Sequence, residues 1–263
     1  MKSPRFLPIF TRRCLPVLGF LLLSLQIGSA ADTVIFPIPV RPVDINCPTY
    51  PAPRDEWFQR VQANFEKTKG HQYNLIFDGD SITDFWQTRG KEVWAKHFGA
   101  LNAVDFGISG DRTENLLWRL QQGQVDGMDP KLIVLMIGTN NIAHCSPEQI
   151  VDGIKDVVAE YLKRCPDSHL LLLGVFPRSA NPTDEIRATV IAINKGIAPL
   201  DDGKRVTFLD IGKKFLQPDG TLTTEIMHDF LHPTPKGYAI WADAIQPIVD
   251  KYCSASASPK AGG

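Results

Sequence analysis

Five short runs of almost unbroken apolar residues, at 73–77, 103–106, 132–137, 169–175 and 206–209, constrain this chain more than any other feature. Strands that face solvent on one side alternate apolar with polar residues; runs apolar throughout are buried on both faces, as in parallel sheets sandwiched between helices. The intervening segments read as helices, at 55–68, 92–97, 113–122, 184–200 and 234–251. Another opens at Ser146-Pro147-Glu148-Gln149, a capping box with proline at the first helical position. Ile150, Ile154, Val157, Val158 and Tyr161 give it an apolar face at helical spacing. The predicted fold is α/β: a three-layer α/β/α sandwich around a five-stranded parallel sheet.

Bulk properties narrow the function classes. A formal net charge of −1 over 263 residues offers no field for nucleic acid or anionic membranes. Lys2, Arg5, Arg12 and Arg13 precede an apolar stretch at 15–27 that ends in Gly28-Ser29-Ala30-Ala31. That order reads as a signal peptide over 1–31, and the stretch is shorter than the ~20 residues of a membrane span. The expected location is secreted or periplasmic, with no stable membrane insertion after cleavage. A proline-rich extended lead-in follows at 32–54, then one domain at 55–252 and a small, polar, disordered tail at 253–263. Cys47, Cys145, Cys165 and Cys253 remain after cleavage. Cys145 and Cys165 bracket a helix about 25–30 Å long and cannot pair with each other.

In an open parallel sheet, reactive groups gather beyond the carboxyl ends of the strands. Ser81 follows the first strand in Gly79-Asp80-Ser81, Gly110 closes the turn after the second, Asn140 follows the third in Gly138-Thr139-Asn140, and Asp229-Phe230-Leu231-His232 precedes the last helix. Each suits acyl transfer. A serine hydroxyl needs a base, for which His232 is the candidate. Asp229 can orient and stabilise its imidazole. The N–H groups of Ser81 and Gly110, with the Asn140 amide, can hold a tetrahedral oxyanion.

These blocks, with Asp105-Phe106-Gly107-Ile108-Ser109-Gly110-Asp111 and Leu117-Trp118-Arg119-Leu120, resemble the GDSL or SGNH esterase family, and in particular the platelet-activating-factor acetylhydrolase catalytic-subunit branch and its bacterial relatives. The resemblance implies a flavodoxin-like sheet, a serine ester hydrolase without cofactor or metal, and Ser81, Gly110, Asn140, Asp229 and His232 as working residues. The chain departs from the family pattern in having Asp105 before the glycine turn and Asp78 before Gly-Asp-Ser.

The expected substrate is a small-molecule or carbohydrate ester of a short acyl group, O-acetyl above all, because no amphipathic flap suggests an interfacial lipase. Trp86, Phe106 and Phe230, aromatic residues near strand ends, and Arg178 are the candidate substrate contacts. Two other functions use the same scaffold: an acyltransferase with the same acyl-enzyme, and a non-catalytic carbohydrate-binding protein. A homodimer is compatible with either. His228-Asp229-x-x-His232 could mimic a zinc motif on a helix, but Pro233 pushes His232 out of helical geometry.

Overall fold

The apolar runs form five parallel strands. In the computed structural model, which describes residues 47–54 and 57–254, the order along the chain is α1 (Phe58–Thr68), β1 (Leu75–Gly79), α2 (Ser81–Asp84), α3 (Lys91–His97), β2 (Ala103–Asp105), α4 (Thr113–Gln121), β3 (Leu132–Met136), α5 (Pro147–Arg164), β4 (His169–Leu173), α6 (Glu185–Ile197), β5 (Val206–Leu209) and α7 (Pro235–Cys253). The expected signal peptide, most of the lead-in and nearly all of the tail lie outside the described residues. Cys253, expected in the tail, is instead the last buried residue of α7.

Spatial order is β2-β1-β3-β4-β5, all pairings parallel. The chain moves outward from β1 to β2 and then returns past β1 to β3. That reversal opens a crevice above the carboxyl ends of β1 and β3. Side chains divide by the two-residue period of a strand. Ile76, Ile133, Leu135, Leu170 and Leu172 pack under α4, α5 and α6 through Leu116, Ile154 and Ile193. Leu75, Phe77, Val134, Met136 and Leu171 meet the opposite layer, where Trp86, Phe98, Trp241 and Ile245 come from the α2–α3 region and α7. Among the described residues no helix is long and apolar enough to cross a membrane. The four described cysteines are free thiols.

β1 runs two residues further than predicted, through Asp78 and Gly79. A carboxylate normally ends a buried strand, because removing it from water without partners is costly. Here Asp78 is fully buried yet saturated. Its oxygens accept from Arg119 Nη2 at 3.0 Å, Tyr161 Oη at 2.5 Å, Gln124 Nε2 at 3.1 Å and the Gly79 amide at 2.8 Å. Arg119 also donates from Nε to Asp111 at 2.9 Å. One buried arginine thus ties the end of β1 to the loop after β2. Burial would lower the Arg119 pKa, but Asp78 and Asp111 outweigh it and raise it.

Residues 47–54 belong to the domain despite having no regular structure. Thr113 Oγ1 donates to the Pro48 carbonyl at 2.9 Å, the Ala52 amide to Glu114 at 3.1 Å, and Asn115 Nδ2 to the Ala52 carbonyl at 2.9 Å. The segment is strapped across the start of α4.

Candidate active site

β1 delivers Ser81 to the sheet edge because its last residue, Gly79, passes flush against β3. A Cβ on Gly79 would overlap the Met136 carbonyl oxygen and stand 2.6 Å from Thr83 Oγ1. Asp80 then caps the short helix α2, its Oδ1 accepting from the Ile82 amide at 2.9 Å. Ser81 is therefore the first helical residue, where a backbone N–H has no acceptor within the helix. Burial pushes the Asp80 carboxyl up to about 7, with the Ile82 hydrogen bond opposing the rise.

The loop before α7 brings the imidazole. Asp229 Oδ1 accepts from the backbone amides of Leu231 at 3.1 Å and His232 at 2.8 Å, an Asx turn that fixes the peptide carrying His232. Phe230 takes a left-handed φ of 58° within it. Thr234 caps α7 and Pro235 occupies its first turn, so the helix starts immediately after the loop. His232 Nδ1 lies 2.7 Å from Asp229 Oδ2, and His232 Nε2 lies 2.9 Å from Ser81 Oγ.

Proton positions follow from the carboxylate. Burial tends to raise the Asp229 pKa, but the side-chain and backbone hydrogen bonds from His232 win and hold it at about 2. An ionised carboxylate only accepts, so Nδ1 carries the proton of the neutral ring and Nε2 is left as an acceptor. Ser81 therefore donates to His232. On its flank the imidazole rests against Phe85, ring centroids 5.1 Å apart, and the Arg89 guanidinium covers Phe85 at 4.5 Å.

Gly110 and Asn140 sit beyond β2 and β3, the two neighbours of β1. Gly110 adopts φ of 81°, a conformation that L side chains rarely adopt. Asn140 Nδ2 donates to the Asp111 carbonyl at 2.9 Å, which uses one of its two amide hydrogens. Asn141 fastens the same turn, accepting from the Thr113 amide at 3.1 Å and donating to Glu114 at 2.8 Å.

The four candidate substrate contacts separate. Trp86 and Phe106 are fully buried, which corrects the expectation that they meet substrate. Trp86 packs among Phe77, Trp94 and Trp241, and Phe106 joins the opposite core layer. Phe230 and Arg178 do line a cavity of about 450 Å³ beside Asp229, with Ser179, Ile186 and Leu231. Arg178 Nη1 donates to the Thr139 carbonyl at 3.2 Å, so it also braces the Asn140 turn. Sequence reasoning missed Phe85, Asp84 and Arg54. Asp84 and Phe85 stand three and four residues after Ser81, spacings that place side chains on one helix face; Arg54 leaves no such signal.

Comparison with known proteins locates the arrangement. The model of the GDSL-like Lipase/Acylhydrolase family matches residues 77–240. Platelet-activating factor acetylhydrolase IB subunit alpha1 of Homo sapiens is 35% identical over 172 residues, 65% of this chain and 73% of the relative. Two solved structures share the fold: a GDSL-like lipase from Bacteroides thetaiotaomicron (TM-score 0.59, 20% identity, covering 74% of this chain and 97% of that one) and an acetylxylan esterase, as a catalytic mutant, from Geobacillus stearothermophilus (TM-score 0.53, 19% identity, 68% and 93%).

Proposed function

This chain belongs to the GDSL-like lipase/acylhydrolase family and is an ester hydrolase; within that family we propose that it removes short acyl groups, O-acetyl above all, from carbohydrate or cell-envelope esters outside the cytoplasm. The observation that carries the mechanism is the hydrogen-bond series from Asp229 through His232 to Ser81, at 2.7 and 2.9 Å. Ser81 Oγ attacks the ester carbonyl carbon while its proton passes to His232 Nε2. Asp229 stabilises the imidazolium that forms. The N–H groups of Ser81 and Gly110 and the second amide hydrogen of Asn140 hold the oxyanion. The imidazolium then protonates the leaving alkoxide, and water, deprotonated by the same ring, releases the acid from Ser81.

The cavity beside Asp229, whose walls of Arg178, Ile186 and Phe230 combine one cation with apolar surface, supports a substrate that carries both polar and apolar groups. The fold shared with an acetylxylan esterase supports a carbohydrate ester. The basic residues ahead of the apolar stretch at 15–27 support export. Assay of the purified protein on acetylated xylo- and glucosaccharides beside acyl esters of increasing chain length tests the substrate. Acetyl esters are expected to give the highest kcat/KM, at least about tenfold over octanoyl esters, one methylene in a pocket being worth roughly 1–3 kcal/mol. Preference for the longer chains would contradict the reading.

A pH profile tests the base. With Asp229 held at about 2, its charge is constant over the working range, and the stability it contributes is present above the ordinary carboxylate range and lost as pH falls toward 2. The base must be free to accept the Ser81 proton, so kcat/KM is expected to fall on the acid side. A rate that stays flat between about pH 5 and about pH 9 would exclude an imidazole base.

A further inference from the structure

We propose that Arg54, from the strap ahead of α1, is a positioning residue that aims the Gly110 N–H at the reacting oxygen. The inference rests on the esterase reading and adds to it a residue outside the family-matched span of 77–240. Arg54 Nη1 donates to the Ser109 carbonyl at 3.3 Å. That carbonyl and the Gly110 N–H are the two ends of one planar trans peptide and point in opposite directions. Holding the oxygen therefore sets the direction of the N–H.

The other side of Ser109 is also held. Asp84 Oδ2 accepts from the Ser109 amide at 3.2 Å and from its hydroxyl at 2.5 Å, and Arg60 Nη2 closes on Asp84 Oδ1 at 2.5 Å. With Asp84 on its N–H and Arg54 on its carbonyl, the residue before Gly110 cannot rotate without breaking a charged hydrogen bond. The guanidinium also occupies the volume a Cβ on Gly110 would need, so it packs directly against the glycine backbone. Arg54 is itself fixed by the strap bonds at Pro48 and Ala52 and by the Trp57 ring 5.6 Å away. Its charge on the carbonyl further polarises the peptide and makes the Gly110 N–H a better donor.

The test is Arg54→Ala and Arg54→Lys in the full chain, with wild type and Ser81→Ala alongside on a short-chain acetyl ester. Arg54→Ala is expected to lower kcat by about tenfold with KM within about twofold, short of the 10²–10³ lost with a whole oxyanion donor. Arg54→Lys, which can still donate to Ser109, is expected to recover most of the loss, as is guanidinium added to the alanine variant. A wild-type kcat in Arg54→Ala, or a loss that only tracks its unfolded fraction, overturns the proposal. The Gly110 amide resonance reports the clamp without any turnover. It is expected to shift in Arg54→Ala and return toward wild type in Arg54→Lys; an unmoved resonance overturns the clamp even if the wild-type protein hydrolyses no ester tried. Loss of activity in Ser81→Ala, by contrast, bears on the esterase reading alone.

Discussion

Replacing Ser81 by alanine is expected to lower kcat on a short-chain acetyl ester by about 10⁴-fold or more, with folding stability unchanged. The magnitude is that of losing a nucleophile whose base has no other route to the carbonyl. Among the described residues the hydroxyl makes one hydrogen bond, to His232, and the turn that carries it is built by Gly79 and Asp80, so the alanine variant keeps the backbone. His232→Ala is expected to cost a similar factor, and the double variant little more than either single one, because the two groups act as a unit. Additive losses in the double variant would mean that they serve separate steps. Urea unfolding of the Ser81 variant, with a midpoint equal to wild type, separates chemical from structural loss.

Arg119→Met is expected to destabilise the fold by about 3–5 kcal/mol, the range for removing one partner of a buried ion pair. The methionine fills much of the volume but leaves Asp78 with Tyr161, Gln124 and the Gly79 amide, and removes the guanidinium bonded to Asp111. With Arg119 present, burial already pushes the Asp111 carboxyl up to about 6, against the pull of the guanidinium. For a domain of this size the loss corresponds to a Tm lower by roughly 10 °C. Asp78→Asn combined with Arg119→Met is expected to be more stable than Arg119→Met alone, since one of the two uncompensated carboxylates is then gone. A Tm within about 2 °C of wild type for Arg119→Met would show that the network contributes little. Activity is a second readout: the Asp111 carbonyl accepts from Asn140, so a loosened Asp111 frees the amide proposed to hold the oxyanion.

The chemistry of this network also explains where the sequence was readable and where it was not. Almost unbroken apolar runs located all five strands: β1, β3 and β4 are buried at every residue, and the edge strands β2 and β5 are partly exposed yet still apolar enough to read. They misplaced the end of β1, because Asp78 is tolerated through distant partners such as Arg119 and Tyr161, 41 and 83 residues downstream. No local pattern predicts such a pairing. Ser81 and His232 meet across 151 positions, yet both were legible, because strand-end topology assigns a common edge before any contact is known. That topology places a residue at an edge without fixing which way its side chain points. Trp86 and Phe106 stand at the same edge as Phe230 but turn into the core. Arg54 was hidden for a further reason: an irregular segment carries no period from which to read what it touches.

The most direct test is covalent. A chromogenic alkyl phosphonate, which reacts with an activated serine and then stays attached, should add one equivalent per chain, located by peptide mass mapping on Ser81. Labelling should vanish in Ser81→Ala and slow sharply in His232→Ala. Ester hydrolysis that continues undiminished while Ser81 stays unlabelled, or a stoichiometric adduct on another residue, would contradict the nucleophile assigned here and the mechanism built on it.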